Sequence, residues 1–255
     1  MGQPAFASYV PPVPAPDWRI VPSGDRCIIL EIAPAFSLEC NRRAASFAHH
    51  IEHRRAIGEL SGITDVVPSM AAVGIHYQPD QIQCEPSEWP YQSLARQLSR
   101  ILSSFDAAPS AATSDEIVIP VCYGGEYGPD LPEVAHACGL TPDEVIQLHT
   151  SEAVNVLMLG FAPGHAYIGQ FDERLGIARR STPRTHVQSG SIGLANRQTV
   201  IYPCDLPGGW NLIGRTPWSI FDLESTSPCL LNPGDRVRFA AITANEFNAY
   251  ARSPA

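Results

Sequence analysis

The sequence predicts an α+β protein with two domains, a ferredoxin-like domain followed by a domain of short β-strands. Residues 18–121 suggest the order strand, helix, strand, strand, helix, strand, which is that of a ferredoxin-like sandwich. Residues 154–241 form short apolar runs separated by glycine and proline, a pattern typical of a β-barrel or a β-sandwich. With 44% hydrophobic residues, the chain can build a substantial core.

The first predicted domain opens with the segment Trp18–Val21 and a turn at residues 22–25, and its first predicted strand is the apolar run Cys27–Ile32. Ser37 then fits the N-cap of a long helix, and Gly62 ends it. The apolar stripe of this helix recurs at helical spacing and comprises Ala44, Phe47, Ala48, Ile51 and Leu60. The remaining elements are strands at Thr64–Pro68 and Ala71–Tyr77, a helix near Tyr91–Phe105 and a strand at Glu116–Val121.

The predicted second domain begins with a strand at Glu116–Tyr123 and a glycine-rich turn at residues 124–130. Two short helices follow. The second has Thr141 as its N-cap, Pro142 at the first helical position and Glu144 completing a capping box. The later apolar runs are Val154–Gly160, Gly190–Ala195, Thr199–Tyr202, Trp218–Phe221 and Arg236–Ala241.

Composition along the chain predicts the domain boundaries. Residues 1–16 hold five prolines and lack both a charged n-region and an 18-residue apolar run, so we expect a disordered arm rather than a signal peptide or membrane span. The ferredoxin-like domain is predicted at residues 17–106. Residues 107–115, rich in alanine and serine, are the expected linker, and the β-domain follows at 116–247.

Every one of the 17 basic residues is arginine. The absence of lysine excludes a Schiff-base lysine and a P-loop, whose lysine contacts the nucleotide phosphates. Any anion must therefore bind to arginine, to backbone N–H groups or to a partner. The net charge of −9 argues against binding to nucleic acid or to an anionic membrane. Six arginines between residues 174 and 215, against the one acid Asp205, indicate a local basic patch.

The seven cysteines include no C-x-x-C pair, which argues against a disulfide framework or a structural zinc site and favours the reducing cytoplasm. Three histidines, His49, His50 and His53, fall on the first long helix. The zincin motif requires glutamate directly after its first histidine, and position 50 is His. We therefore expect a solvated helix face there and no metal site.

Two glycine-rich turns carry the candidate binding residues. Gly160–Tyr167 and Pro207–Trp210 combine glycines, which permit close approach of the backbone to a ligand, with aromatic side chains that could wall a pocket. Ordinary barrel corners are the alternative explanation. Arg184 and Arg215 lie at turns between apolar runs, where guanidinium groups can bind a carboxylate or phosphate. Gln198 and Tyr202 add neutral hydrogen-bonding groups nearby in sequence.

Several ordered segments resemble one protein family. They include residues 122–131, 159–164, 182–185, 198–203, 207–217 and 233–239. Together they extend over about 120 residues, with weaker similarity back to Trp18. The family they resemble contains the B-type subunit of 5-oxoprolinase, the subunit-1-type allophanate hydrolase domain and a sporulation-kinase inhibitor.

This resemblance implies a cyclophilin-like β-barrel after the ferredoxin-like domain, as a statement of fold rather than of prolyl isomerase activity. It also implies ATP-dependent opening of 5-oxo-L-proline to L-glutamate, together with a subunit-2-type cyclophilin-like partner and a third subunit. Because the chain lacks lysine, ATP is expected to bind mainly on a partner or across an interface. The chain alone is therefore expected to be nearly inactive.

Under this hypothesis the candidate residues receive roles. Arg184 and Arg215 would bind anions, and His149 or His165 would transfer a proton. The substrate's amide or carboxylate and the pocket wall would involve Gln198, Tyr202, Gly209 and Trp210. No metal and no attached biotin are expected on this chain.

Two alternative functions remain open. One is the carboxyltransferase component of a biotin-dependent urea carboxylase or allophanate system, which would need a separate biotin carrier because this chain has no lysine. The other is inhibition of a sensor histidine kinase. The sequence also departs from the family: His165 and Ala166 replace a common aromatic and proline, and Arg197 and Val200 flank the Gln-Thr step where glycine is frequent. These departures bear on substrate identity.

Overall fold

The computed structural model describes residues 18–105 and 116–250. The predicted arm at 1–16 and linker at 107–115 lie outside these residues. Residues 18–105 form a four-stranded sheet with two long helices, and residues 116–250 form a closed β-barrel with three short helices. The α+β class predicted from the sequence is confirmed.

The N-terminal unit is an antiparallel sheet with the strand order β1-β2-β4-β3. Ile28 and Leu30 on β2 pair with Ile75 and Val73 on β4, so these four side chains share one face of the sheet. That face is buried in the same core as Phe47, Leu94 and Leu98 of the two helices. The elements are β1 (Arg19–Pro22), β2 (Cys27–Glu31), α1 (Leu38–Ala56), β3 (Ile63–Pro68), β4 (Ala72–Tyr77) and α2 (Pro90–Ser104).

The connectivity of this sheet differs from the predicted order. The strand predicted at Glu116–Val121 belongs to the barrel, and β1 supplies the fourth strand of the N-terminal sheet instead. The reason is the turn between β1 and β2, where Gly24 has φ 72°, a conformation that glycine adopts without strain. The turn folds β1 back as a hairpin against the free edge of β2. The ferredoxin-like assignment therefore stays a prediction.

The second unit is a seven-stranded barrel with the order β10-β7-β6-β13-β5-β12-β9, closed by pairing of β9 with β10. Strands β5 and β13 are parallel and the other neighbours are antiparallel. The strands are β5 (Ile117–Tyr123), β6 (Val154–Leu159), β7 (Ala166–Gly169), β9 (Ser191–Ala195), β10 (Gln198–Ile201), β12 (Asn211–Arg215) and β13 (Arg236–Ile242). The strand pattern in the sequence fitted either a barrel or a sandwich. Because the sheet closes on itself, the second unit is a barrel.

Outside the barrel, β8 (Arg184–Val187) and β11 (Leu206–Gly208) form a separate two-stranded ribbon. The helices of this unit are α3 (Leu131–Cys138), α4 (Pro142–Thr150) and α5 (Ala244–Tyr250). The run predicted at Trp218–Phe221 forms only an isolated bridge between Phe221 and Cys229. The cyclophilin-like assignment is more specific than the closed barrel and stays a prediction.

Two helix caps predicted from sequence are confirmed. The Ser37 hydroxyl accepts a hydrogen bond from the Cys40 backbone N–H at 3.1 Å. The Thr141 hydroxyl accepts from the Glu144 N–H at 3.3 Å, and the Glu144 carboxylate accepts from the Thr141 N–H at 2.7 Å. Within residues 18–105 and 116–250, no helix has the length and apolarity needed to cross a membrane.

Asn41 joins the two units. This residue is 3% exposed and lies on α1 of the N-terminal unit. Its amide nitrogen donates to the Leu157 carbonyl of barrel strand β6 at 2.9 Å and to the Met70 carbonyl of the N-terminal unit at 3.1 Å. A buried amide with acceptors in both units stabilises the contact between the sheet and the barrel, because separating the units would leave the buried Leu157 carbonyl without this donor.

Candidate functional site

A buried carboxylate organises the arginines on one side of the barrel. Asp130 is 5% exposed, and its Oδ1 accepts from Arg184 Nη2 at 2.7 Å and from Arg180 Nη1 at 3.2 Å. Its Oδ2 accepts from the Leu212 backbone N–H at 2.7 Å. The charge of Asp130 is therefore compensated by two guanidinium groups and an amide, as a buried carboxylate requires. We call Asp130, Arg180 and Arg184 the Asp130 network.

The glycine-rich turn after β5 places Asp130. A Cβ atom on Gly128 would lie 2.0 Å from the carbonyl oxygen of Ile213, so this turn rests directly on the backbone of β12. Only glycine permits that approach. The Asp130 backbone N–H, two residues later, donates to the Leu212 carbonyl at 2.9 Å. The local sequence thus fixes the carboxylate beside β12.

The second part of the site is a buried imidazole next to a buried phenol. His165 and Tyr202 are each 1% exposed, and their ring centroids are 5.3 Å apart at an interplanar angle of 89°. Phe161 and Tyr167 also contact the imidazole edge to face, at 5.3 and 5.1 Å. Within the described part of the chain, neither His165 ring nitrogen nor the Tyr202 hydroxyl has a hydrogen-bond partner. We call these four residues the His165–Tyr202 cluster.

Burial keeps both polar groups of the cluster neutral. Burial, with a smaller contribution from the positive charge of Arg179, lowers the pKa of His165 to about 4. Burial also raises the pKa of Tyr202 to about 12, against the opposing charges of Arg179 and Arg184. At neutral pH the imidazole therefore offers one N–H donor and one nitrogen acceptor, and the phenol offers a donor and an acceptor.

Trp210 and three arginines border the His165–Tyr202 cluster. Trp210 lies 6.0 Å from Tyr167 between ring centroids, and the Arg179 guanidinium carbon lies 4.5 Å from the Trp210 ring centroid. Arg184 pairs in register with Gly208, and a Cβ atom on Gly208 would lie 2.0 Å from the Tyr202 hydroxyl oxygen, so Arg184 lies next to the phenol. The charges of Arg179 and Arg184 both lower the pKa of Tyr202. Among the described residues, the buried atoms Arg184 Nη1 and Arg180 Nε also have no hydrogen-bond partner. The neutral donors of His165 and Tyr202 therefore lie near the cationic side chain of Arg184.

Phe161 covers the cluster in a strained conformation. Its φ is 75°, a value that a bulky residue rarely adopts, and the residue is 66% exposed although it contacts His165. Such a conformation costs on the order of 1–3 kcal/mol and is concentrated at functional sites. The turn at Gly160–Gly164 therefore places the Phe161 ring against His165, and the positive φ of Phe161 costs conformational energy.

Arg215 lies in a shallow groove beside the same arginines. Its Nε donates to the Ser189 carbonyl and its Nη1 to Gln188 Oε1, both at 2.8 Å. The groove has a volume of about 170 Å³ and is also lined by Arg184 and His186. The structure thus brings Arg184 and Arg215 to one surface. Arg184 alone of these two also approaches the cluster.

Known proteins of one family are similar to this chain over most of its length. Residues 18–231 match the family described as carboxyltransferase domain, subdomain C and D. The chain belongs to this family. It is 34% identical over 237 residues to the B-type subunit of 5-oxoprolinase from Bacillus subtilis, covering 91% of this chain and 96% of that protein. It is 36% identical over 216 residues to the corresponding 5-oxoprolinase subunit of Escherichia coli O157:H7, covering 85% and 92%.

A more distant relative and a solved structure complete the comparison. The urea amidolyase of Saccharomyces cerevisiae is 27% identical over 130 residues, which are 45% of this chain and 7% of that protein. The crystal structure of TTHA0988 superposes with a TM-score of 0.73 at 33% identity. The match covers 86% of this chain and only 41% of TTHA0988, so TTHA0988 is the longer protein.

His149 of this carboxyltransferase-family chain does not lie in a cleft. It is completely buried in the barrel, where Tyr123 Oη lies 2.7 Å from Nδ1 and Thr199 Oγ1 lies 2.8 Å from Nε2. The ring stacks on Phe171 at 4.6 Å, and burial lowers its pKa to about 3. Both ring nitrogens are engaged within the core. A proton-transfer role for His149 would require the core to open.

Gln198 and Gly209 are also placed differently from the other candidates. Gln198 begins β10 and Tyr202 follows its end, so about 13 Å separate their Cα atoms at the rise of a β-strand. The structure therefore does not bring the two together. The Gly209 carbonyl accepts from the Arg180 backbone N–H at 2.8 Å, which positions the arginine segment rather than a ligand. His165, Tyr202, Trp210 and Arg184 are the candidates that the fold assembles.

The sequence analysis missed Asp130, Arg179 and Arg180. The charge pattern held a usable signal, because six arginines against one acid in residues 174–215 require an acidic partner from elsewhere in the chain. Asp130, at the end of the glycine-rich turn, is that partner for two of them. Within the described ranges no group of three or more His, Cys, Asp or Glu residues is arranged to hold a metal ion.

Proposed function

We propose that the chain is the B-type subunit of an ATP-dependent 5-oxoprolinase, which opens 5-oxo-L-proline to L-glutamate with a subunit-2-type partner and a third subunit. The Bacillus subtilis and Escherichia coli relatives are named as this subunit of 5-oxoprolinase, and this chain spans 96% and 92% of their lengths. The observation that carries the site assignment is the His165–Tyr202 cluster, whose buried polar groups have no hydrogen-bond partner among the described residues. Its Tyr202 hydroxyl lies next to Gly208, the register partner of Arg184.

The cluster matches the chemistry of 5-oxoproline, which combines a planar lactam with a carboxylate. In the proposed complex the lactam N–H donates to the unprotonated nitrogen of His165, and the Tyr202 hydroxyl donates to the lactam carbonyl oxygen. Trp210 and Tyr167 contact the faces of the ring. The carboxylate accepts hydrogen bonds from Arg184 Nη1 and neighbouring guanidinium groups, which suit it better than a single ammonium would.

The reaction itself needs activation of a stable amide. In the proposed sequence the lactam oxygen attacks the γ-phosphorus of ATP, so an O–P bond forms while the bond to ADP breaks. Water then adds to the former carbonyl carbon, and the C–N bond breaks as the nitrogen takes a proton. A second water releases phosphate from the resulting acyl phosphate. Preorganised arginines stabilise the negative charge that develops in these steps.

ATP binding is assigned to a partner or to an interface with it. The chain contains no lysine and therefore no P-loop, and its cationic groups near the cluster are all arginines. The subunit proposed here supplies the lactam-binding groups, while the nucleotide reaches the carbonyl oxygen from the partner's side. This division explains why several subunits would be needed for one reaction.

The test is reconstitution. The chain is co-purified with its neighbouring subunit-2-type and third proteins, and glutamate and ADP are measured with 5-oxoproline and ATP. We expect equal amounts of both products from the complex and none from the isolated chain. A fully assembled complex that produces no glutamate would refute the function. ATP hydrolysis by the isolated chain in response to 5-oxoproline would refute the assignment of ATP to a partner.

Carboxyl transfer is the second candidate, favoured by the match to urea amidolyase over 45% of this chain. Urea presents N–H and C=O groups that could also bind the imidazole and the phenol of the cluster. This function would require a biotinylated carrier protein, since the chain has no lysine for biotin attachment. The test is again the reconstituted complex. Carboxyl transfer is supported if the complex carboxylates urea in a biotin-dependent reaction and forms no glutamate from 5-oxoproline.

A further inference from the structure

The N-terminal unit carries an aromatic groove that the proposed 5-oxoprolinase function does not use. Its volume is about 570 Å³, and it lies between the β1–β2 turn, the end of β4 and the start of α2. Trp89 is 75% exposed at one side, whereas Tyr77 is 3% exposed and lies at its base. The lining consists of three prolines, three aromatic residues and three others: Pro22, Pro79, Pro90, Tyr77, Trp89, Tyr91, Gly24, Asp25 and Gln92.

These residues have the chemistry of a polyproline-binding groove. Proline-rich segments in the polyproline II conformation bind to grooves lined by aromatic rings, whose flat faces contact the pyrrolidine rings. Their backbone carbonyls make no internal hydrogen bonds and accept from donors such as an indole N–H or a side-chain amide. Trp89 and Gln92 provide such donors at the rim. The groove lies at the ends of strands, so it offers no sheet edge for an added strand.

We propose that this groove binds the chain's own segment 10–16 in a polyproline II conformation. The segment reads Val-Pro-Pro-Val-Pro-Ala-Pro and contains no charged residue. Asp25 is the one charged residue that lines the groove, so an uncharged occupant avoids burying an unpaired charge. Proline also lacks a backbone N–H and would not suit a helix or a central strand at this place.

The connection between segment and groove has a suitable length. The described residues begin at Trp18, directly before β1, and Pro22 at the other end of β1 lines the groove. Four residues of strand separate Trp18 from Pro22 by about 13 Å. A polyproline II segment rises about 3.1 Å per residue, so four to five residues preceding Trp18 can run the same distance back along β1 toward Pro22. Residues 11–14 then reach the groove.

No strand pairs with the outer edge of β1 in the described part of the chain. Strand β1 pairs with β2 on one side and stands at the end of the strand order β1-β2-β4-β3. The segment can therefore pass along the outer edge of β1 without displacing a strand. Docking within one chain also benefits from a high effective concentration, on the order of 1 mM for a short flexible connection. A weak contact in isolation is thus sufficient.

The test uses the full chain labelled with 5-fluorotryptophan and observed by fluorine NMR. Its four tryptophans give four resonances, of which Trp89 is assigned with Trp89→Phe and Trp218 of the barrel serves as reference. We expect deletion of residues 2–16 to move the Trp89 resonance and leave that of Trp218 unchanged. A synthetic peptide of residues 1–17 should return the Trp89 resonance of the truncated chain to its full-length position.

A matched peptide in which Pro11, Pro12 and Pro14 are alanine provides the control. We expect a dissociation constant of about 0.1 mM for the native peptide, which corresponds to about tenfold preference for the docked state in the full chain. The control should bind at least tenfold more weakly. The proposal is overturned by identical Trp89 resonances in the full and truncated chains, or by equal binding of both peptides. Concentration dependence of the full-length shift would assign the groove to a second copy and would also overturn it.

Discussion

Two buried histidines lead to the expectation that the barrel loses stability as the pH falls from 7 to 5. In the unfolded chain a histidine has a pKa of about 6.5 and gains a proton as the pH falls below that value. In the folded chain burial lowers the pKa of His165 to about 4 and that of His149 to about 3. Between pH 6.5 and 4 the unfolded state therefore binds more protons, and the free energy of unfolding decreases as the pH decreases.

The magnitude follows from the two pKa values of each group. Going from pH 7 to pH 5 lowers the free energy of unfolding by about 2 kcal/mol for each of His165 and His149, or about 4 kcal/mol together. Asp172 has its pKa lowered to about 2, so its contribution is lost only at more acidic pH. The window from pH 7 to 5 therefore lies above the range in which Asp172 gains its proton.

The perturbation is His165→Phe, which keeps an aromatic ring in the cluster and removes the titrating group. We expect the loss of stability between pH 7 and 5 to fall from about 4 to about 2 kcal/mol, measured by urea unfolding at both values. Phe161→Leu is the matched control, because it changes a ring contact of His165 without removing a titrating group, and it should keep the full pH dependence. If His165→Phe retains the full pH dependence, then His165 is not buried and neutral as described.

Three further substitutions test the site. Tyr202→Phe should lower kcat/KM of the assembled complex for 5-oxoproline by about 5- to 150-fold, because a hydrogen bond worth about 1–3 kcal/mol is lost, while urea unfolding of the chain should show no loss of stability. Gly208→Ala should destabilise the chain by about 1–3 kcal/mol, because the added Cβ atom would lie 2.0 Å from the Tyr202 hydroxyl oxygen. Gly209→Ala is the control and should unfold like the parent chain, because the atom nearest to its added Cβ is 3.6 Å away. Asp130→Asn should destabilise by about 3 kcal/mol in the same assay, because two guanidinium groups lose their carboxylate, and an unchanged unfolding midpoint would contradict the Asp130 network.

Local patterns predicted the elements well and their partners poorly. The caps at Ser37 and Thr141 are confirmed because a cap depends on residues three positions apart. The strand after the linker was counted in a ferredoxin-like order, yet it pairs with β12 and β13, more than 80 residues further along the chain. Periodicity reports which face of a strand is buried and contains no information about which strand lies beside it.

The same limit explains which site residues were found. Tyr202, Trp210 and Arg184, which the fold brings together, lie in or beside turns whose glycines and aromatics are visible in sequence. The proton-transfer role of His149 stays a prediction, and a histidine inside a helix gives no local sign that Tyr123 and Thr199, 26 and 50 residues away, engage both its nitrogens. Asp130 was missed because its arginine partners are 50 and 54 residues distant.

Arg184 shows why an arginine suits this position better than a lysine would. Its Nη2 is held by Asp130 at 2.7 Å, whereas its Nη1 is buried without a partner among the described residues. An ammonium group could not bind the carboxylate and remain directed at a ligand in the same fixed way, but a planar guanidinium can, since its donors diverge rigidly from one carbon. Arg184→Lys should therefore preserve much of the pairing with Asp130 and still raise the KM for 5-oxoproline in the assembled complex by about tenfold. Equal KM values for the two proteins would mean that the free side of Arg184 does not meet the substrate.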